Sequence, residues 1–200
     1  AASLGCLIET DEELRLRFRE TKFERSSNIL DSIYSALKNL TSVESVAVYE
    51  NDTDIVDSNG LPPHSFTAVV SGGDSEEIAN TIWKNKPVGI TSNGNTSVEI
   101  IDSQGFSRTI NFERPSPITI YVKMELDVNE EFPADGITLI KNAIIEYARN
   151  NFQVGEDIIY SRLYTPINTI SGHQVNSLFI GTAPNPTGVV NIPINFDQVG

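Results

Sequence analysis

The chain has 200 residues, 27 acidic and 14 basic, for a formal net charge of −13, and a surface so negative is repelled by phosphate backbones, which argues against a nucleic-acid partner. Its apolar runs are only a few residues long and no basic-then-apolar start resembles a signal peptide, so neither membrane insertion nor secretion by that route is expected. One cysteine, Cys6, permits no internal disulfide and no thiolate metal cluster, and the fold must stand on its core.

The opening Ala1-Ala2-Ser3 and the single methionine, Met124, read as a fragment or processed product that lacks N-terminal material. Thr10 is placed to cap a helix and Glu13 to complete the capping box. The five residues Leu14–Phe18 alternate like a strand, but the cap and the good helix formers favour helix. Ser26 or Ser27 starts a second helix in which Ile29, Leu30, Ile33, Tyr34, Leu37 and Leu40 form one stripe. Residues 1–41 are therefore expected to be an N-terminal helical segment, the end of a larger region.

Val46 and Val48 mark a strand within Val43–Glu50, followed by the polar loop Asn51–Gly60. After Pro62-Pro63, Phe66, Ala68 and Val70 alternate with Ser65, Thr67 and Val69, as in a strand with one buried face. Gly72-Gly73 stop it. Asp74 then caps a helix with Glu77 at its third position, Ile78, Ala79, Ile82 and Trp83 share a face, and Pro87 ends it. Val98–Ile101 and Arg108–Glu113 flank Asp102-Ser103-Gln104-Gly105, the composition of a hairpin turn.

Arg114-Pro115-Ser116-Pro117 has the stiffness of a domain edge. Beyond it, Ile118, Ile120, Val122, Met124 and Leu126 alternate with polar partners, the cleanest strand pattern in the chain, one face of which must be buried. Pro133 and Asp135 introduce the longest helix, with Ile137, Ile140, Ile144 and Ala148 on one face and Gly155 past its end. A short extended stretch and a brief helix follow. Final strands are expected at Val175–Ile180 and Val189–Phe196, the latter at an edge because Pro193 cannot donate to a ladder. Strands mixed with helices without regular alternation argue for α+β: two small mixed domains, 42–115 and 116–200, each with short sheets packed by helices.

No reactive constellation stands out. Cys6 would need His64 or His173 as its base, and nothing in their spacing marks one; His64 reads as a turn residue. No serine motif of a known hydrolase class is present, and the many carboxylates of an acidic chain are not evidence for an acid–base pair. Ser71-Gly72-Gly73 lacks the lysine and hydroxyl of a phosphate loop, and Asp74, Glu76 and Glu77 put negative charge at the same terminus. The sharpest chemical candidate is calcium at Asp52, Asp54, Asp57 and Asn59, hard oxygen ligands closely spaced on a loop, although Val56-Asp57 departs from EF-hand order. The competing reading is a solvated turn whose Asp and Asn side chains cap local amides. No catalytic residue, cofactor site or resident metal is assigned.

Three strings carry a resemblance as well as a pattern: PPHSFTAVVSGGDSEEIANTIWKNKPVGI with the GNTSV that follows, FERPSPITIYVK, and GEDIIYSRLYTPI. They resemble the baseplate J-like family, wedge proteins of contractile phage tail baseplates, and GCLIETDEELRLRFRET is similar to the segment preceding the wedge domain in that family. The resemblance implies a structural subunit that associates with other copies of itself and with a second wedge protein, an oligomer in the assembled particle, located in the tail baseplate of a virion and assembled in the bacterial host cytoplasm. It implies no catalytic residue. The alternatives are a tail module that binds a host-surface glycan and, more remotely, a cell-wall hydrolase.

Overall fold

The computed structural model describes residues 29–200, so the helix expected from Thr10 and the helix start expected at Ser26 or Ser27 lie outside the described residues. The chain divides into two compact units, Ala1–Glu113 and Arg114–Gly200. The class is α+β, with short sheets of mixed sense.

In the first unit, helix α1 (Ile29–Lys38) precedes strand β1 (Val43–Asn51), which pairs antiparallel with β2 (Ser65–Gly72). Helix α2 (Ser75–Asn85) carries the chain over to β3 (Thr91–Asn93), parallel to β2, because parallel neighbours cannot be joined by a tight turn. Strands β4 (Thr96–Ile101) and β5 (Ser107–Phe112) form the expected antiparallel hairpin. Asp102 Oδ1 closes its turn by accepting from the amides of Gln104 and Phe106, both at 2.9 Å. The Phe106 amide, together with the Arg108 guanidinium, holds the Asp102 carboxyl below its usual range.

The core of this unit takes Ile33 and Leu37 from α1, Ile78, Ala79 and Ile82 from α2, and Ile100, Ile110 and Phe112 from the hairpin, around Phe66, Ala68 and Val70 of β2. Helix α1 is therefore part of this core, whereas the sequence reading set residues 1–41 apart. The stripe on α1 is narrower than expected: Ile29 and Tyr34 are exposed.

Strand β2 departs from its expected single buried face. Every residue from Ser65 to Val70 is buried. The strand is central, with β1 along one edge and, along the other, β3 and then Glu113, whose amide and carbonyl bond Ala68 and Val70. The polar side survives burial because its hydroxyls are used: Ser65 Oγ donates to Pro62 O at 2.7 Å and Thr67 Oγ1 to Asn93 O at 2.7 Å. Gly72 ends the strand at φ 75°, where a Cβ would stand 2.5 Å from Ser42 O. Asp74 Oδ1 then accepts from Glu76 N and Glu77 N, both at 3.0 Å, and caps α2 as expected.

In the second unit, Ser116–Pro117 (β6) pairs parallel with Gln198–Val199 (β9), and β7 (Tyr121–Val128) pairs antiparallel with β8 (His173–Gly181). Helix α3 (Gly136–Asn151) packs with a one-turn 3₁₀ segment (Tyr160–Leu163) that runs into α4 (Tyr164–Ile167) around Ile140, Ile158, Leu163, Ile167, Leu178 and Ile180. Asp135 occupies the N-cap of α3 but makes no side-chain cap bond.

Two expectations fail here. The strand expected over Val189–Phe196 is not a strand: isolated bridges at Gly188 and Ile192 are all that form, because Pro193 has no amide to donate and the Ile194 amide goes instead to Asp157 Oδ1 at 3.0 Å. The ladder expected from Ile118 begins only at Tyr121, since the Ile118 amide bonds Val199 O at 2.8 Å. The inward face of β7 is also only half covered, with Val122, Met124 and Leu126 partly buried.

Tyr160 ties the 3₁₀ segment to β8: its hydroxyl donates to Leu178 O at 2.9 Å and lies 3.2 Å from the Tyr164 hydroxyl. The bond to Tyr164, then burial, then repulsion from a Tyr164 phenolate push its phenol up to about 12.

Two outcomes follow. Asp74→Ala should cost about 1 kcal/mol, read as a lower urea midpoint at unchanged slope, and an unmoved midpoint would show the cap to be dispensable. A phenol whose folded pKa lies above its unfolded value, about 10, stabilises the fold fully below that pH and loses the contribution as pH rises through the folded value. Stability should therefore fall between about pH 10 and 12, less steeply in Tyr160→Phe, and equal slopes in the two proteins would refute the assignment.

Candidate interaction surfaces

Three surface features have built geometry, and the first is the loop after β1. Asn51, the last residue of the strand, is 2% exposed and organises everything beyond it. Its side-chain nitrogen donates to the carbonyls of Ile55, Leu61 and Pro62 at 2.7, 2.8 and 3.1 Å. Its Oδ1 accepts from the Thr53 amide at 3.1 Å and the Thr53 hydroxyl at 2.6 Å. Asp57 Oδ1 closes the second half by accepting from Asn59 N at 2.9 Å and Leu61 N at 2.8 Å. The result is a ten-residue loop with fixed backbone that holds Ile55 and Val56 outward, 72% and 59% exposed.

The calcium candidates fall on this loop without converging. Asp57 is occupied as an amide cap, Asn59 presents its amide to it, Asp54 Oδ1 lies 2.8 Å from His64 Nε2, and Asp52 is exposed. Among the described residues no group of three or more His, Cys, Asp or Glu side chains is placed to hold a metal ion. His64 sits at φ 51° in the turn, bonded to its neighbour across the loop. His173 opens β8 with its ring edge-on to Phe132 at 6.0 Å. Cys6 lies outside the described residues, and the two histidines belong to different units.

The second feature is at the end of α2. The Trp83 ring carries Lys86 Nζ and the Arg108 guanidinium, each 5.6 Å from its centroid, and Arg108 also lies 5.8 Å from the Phe106 centroid. Lys86 follows the helix C-terminus, where a cation is favoured, and Nζ donates to Ile90 O at 3.0 Å. Burial first, and then the Arg108 charge, lower the Lys86 pKa. Beside them is an open cavity of about 320 Å³, with Thr91, Ser92, Thr109 and Asn111 among its lining residues.

The third is an apolar groove of about 870 Å³ in the second unit, between the half-covered face of β7 and α3. Val122, Met124 and Leu126 form one wall, Ile140 and Ile144 the other, while Ile137 and Ile145 stand 50% and 51% exposed at the rim. No helix among the described residues is long and apolar enough to cross a membrane.

The sequence marks the loop but not Asn51 as its organiser, because an asparagine at a strand end does not reveal that its side chain will be buried. Nor does it mark the Trp83 pair of cations, since Lys86 and Arg108 are brought together only by the docking of the hairpin on α2.

No protein-family model matches the chain, and no curated protein matches it significantly.

Asn51→Ala removes the donor shared by the carbonyls of Ile55, Leu61 and Pro62, each of which keeps one other partner, in Thr53, Asp57 and Ser65 respectively, together with the acceptor of Thr53, and should cost about 1–2 kcal/mol. Thermal unfolding gives the loss, and hydrogen exchange should localise it to faster exchange at Asp57, Gly60 and Leu61; undisturbed exchange there would sink the assignment.

Proposed function

We propose that the chain is a structural subunit of the baseplate wedge of a contractile phage tail or tail-like particle, working by contacts with other copies of itself and with a second wedge protein. The observation that carries this reading is the resemblance of Pro62–Ile90, Phe112–Lys123 and Gly155–Ile167 to the baseplate J-like family. Those strings fall on the elements that define both units: the central strand and capped helix of the first, and the opening of β7 and the 3₁₀–α4 turn of the second.

The physical character of the surface supports it. A wedge subunit needs faces that are rigid before they meet a partner, since ordering a loop on binding weakens association. The Asn51-braced loop is such a face, and the groove beside α3 offers exposed aliphatic surface of the sort subunit contacts cover. On this reading the protein resides in the virion baseplate, is assembled in the host cytoplasm, and acts through rearrangement of subunit contacts rather than through turnover.

The reading is tested by co-expression with a second baseplate wedge protein. A complex of defined mass that co-purifies through size exclusion is expected, and Ile145→Glu, which puts a charge at the groove rim, should weaken it by about tenfold or more. Separate migration of the two proteins, or turnover of peptidoglycan by the chain alone, would overturn it.

A further inference from the structure

We infer that the Trp83 cavity binds the acidic loop Asp52–Val56 of a second copy of this chain, in a reciprocal dimer. The inference rests on the proposed role as an assembling subunit and assigns one of its self-contacts.

The cavity is equipped for carboxylates. Among the described residues, Lys86 and Arg108 have one carboxylate partner between them, Asp102, and that carboxylate takes the Nε hydrogen alone, at 3.0 Å. The two Nη groups of Arg108 make no hydrogen bond within the described residues, and Lys86 Nζ has one acceptor, Ile90 O. Guanidinium nitrogens in a fixed fork are matched to a carboxylate, and the fork is fixed here by Trp83 on one side and Phe106 on another. Thr91 and Thr109 are among the residues that line the cavity. The like charges of Lys86 and Arg108 are held near one another against their repulsion, a cost that an anion placed between them would remove.

The occupant is argued from charge and shape. The loop presents Asp52 and Asp54 on a backbone already fixed by Asn51; the Asp54 side chain is 95% exposed, with one oxygen 2.8 Å from His64 Nε2 and the other open to a partner. Next to the carboxylates stand the exposed aliphatics Ile55 and Val56, and next to the cavity stand Trp83 and the fully exposed Val88. Two acids beside two aliphatics thus face two cations beside an aromatic ring and a valine.

The arrangement also allows two-fold symmetry. Asn51 pairs with Ser65, and Ser65 with Thr91, so loop and cavity lie at the same end of the sheet, two strands apart. Complementary patches at the same end of one sheet can be satisfied together by a two-fold axis, each loop entering the other copy's cavity. No ion pair joins them within one chain among the described residues.

The test is sedimentation of the full chain over a concentration series, with fluorescence of Trp83, the only tryptophan, followed in parallel. A monomer–dimer equilibrium with a fluorescence change tracking the dimer is expected, weakened by salt and by about tenfold or more in Asp54→Lys and in Lys86→Glu. Mixing these two variants should restore the dimer, because each contact then pairs opposite charges: Lys against Glu in one, Asp against Lys in the other. Circular dichroism checks that both variants fold, Asp54 being exposed and Lys86 half-buried. A monomer at every concentration, a dimer indifferent to both substitutions, or failure of the mixture to dimerise would overturn the inference. So would a fluorescence change produced by succinate with no change in mass, which would make the cavity a site for free carboxylates. None of these outcomes bears on the complex with a second wedge protein, so the contact and the broader function fail separately.

Discussion

The first unit depends on one constraint, the burial of β2 on both faces. A strand in that position can expose no backbone group and no unpartnered polar side chain, and the chain around it meets both demands. Strand β1 takes one edge, β3 and Glu113 take the other, and the Ser65 and Thr67 hydroxyls are bonded to the carbonyls of Pro62 and Asn93. The core face is filled by α1, α2 and the hairpin, so each of those elements is positioned by reference to the same three residues, Phe66, Ala68 and Val70. Loss of a large core side chain such as Phe66 or Leu37 would be felt by all of them, at a cost of about 2–5 kcal/mol.

Position follows from that frame. The Asn51 loop leaves from the edge strand beside β2, and the Trp83 cavity forms where α2, β3 and β5 meet at its other side. Both are loop or helix-end features carried by a rigid sheet, the usual division of labour between scaffold and surface. Gly94 shows how tightly the cavity side is joined: at φ 153°, its Cβ would stand 2.1 Å from the Phe112 carbonyl carbon, so only glycine lets β3 turn into β4 there.

The second unit is built on a different balance. Its main sheet has two strands, β7 and β8, and a pair of strands buries little unless a helix covers one face. Helix α3 covers part of it, and the uncovered part is the groove. Tyr160 and Tyr164 pin the other side by ring contact and hydrogen bond. A unit with one side pinned and one side open is suited to meeting a partner without refolding, in keeping with the structural role proposed.

Much of this was legible without coordinates where the signal was local. Asp74 reads as a cap because its side chain needs only the next three residues, Gly72 as a stop because no other residue adopts φ 75° cheaply, and Asp102–Gly105 as a hairpin turn for the same reason. Alternation likewise located β2 and β7, and α+β followed from the order of elements. What only the tertiary structure decided is what stands on either side of each element. Period-two alternation cannot say whether the polar side of β2 meets water or the carbonyls of Pro62 and Asn93, nor that Asn51 is turned inward. It cannot say that a helix leaves half of β7 open, or that Lys86 and Arg108, 22 residues apart, share one indole. Those outcomes depend on long-range packing, whose partners are chosen by shape and burial across the whole chain and leave no trace in the spacing of neighbours.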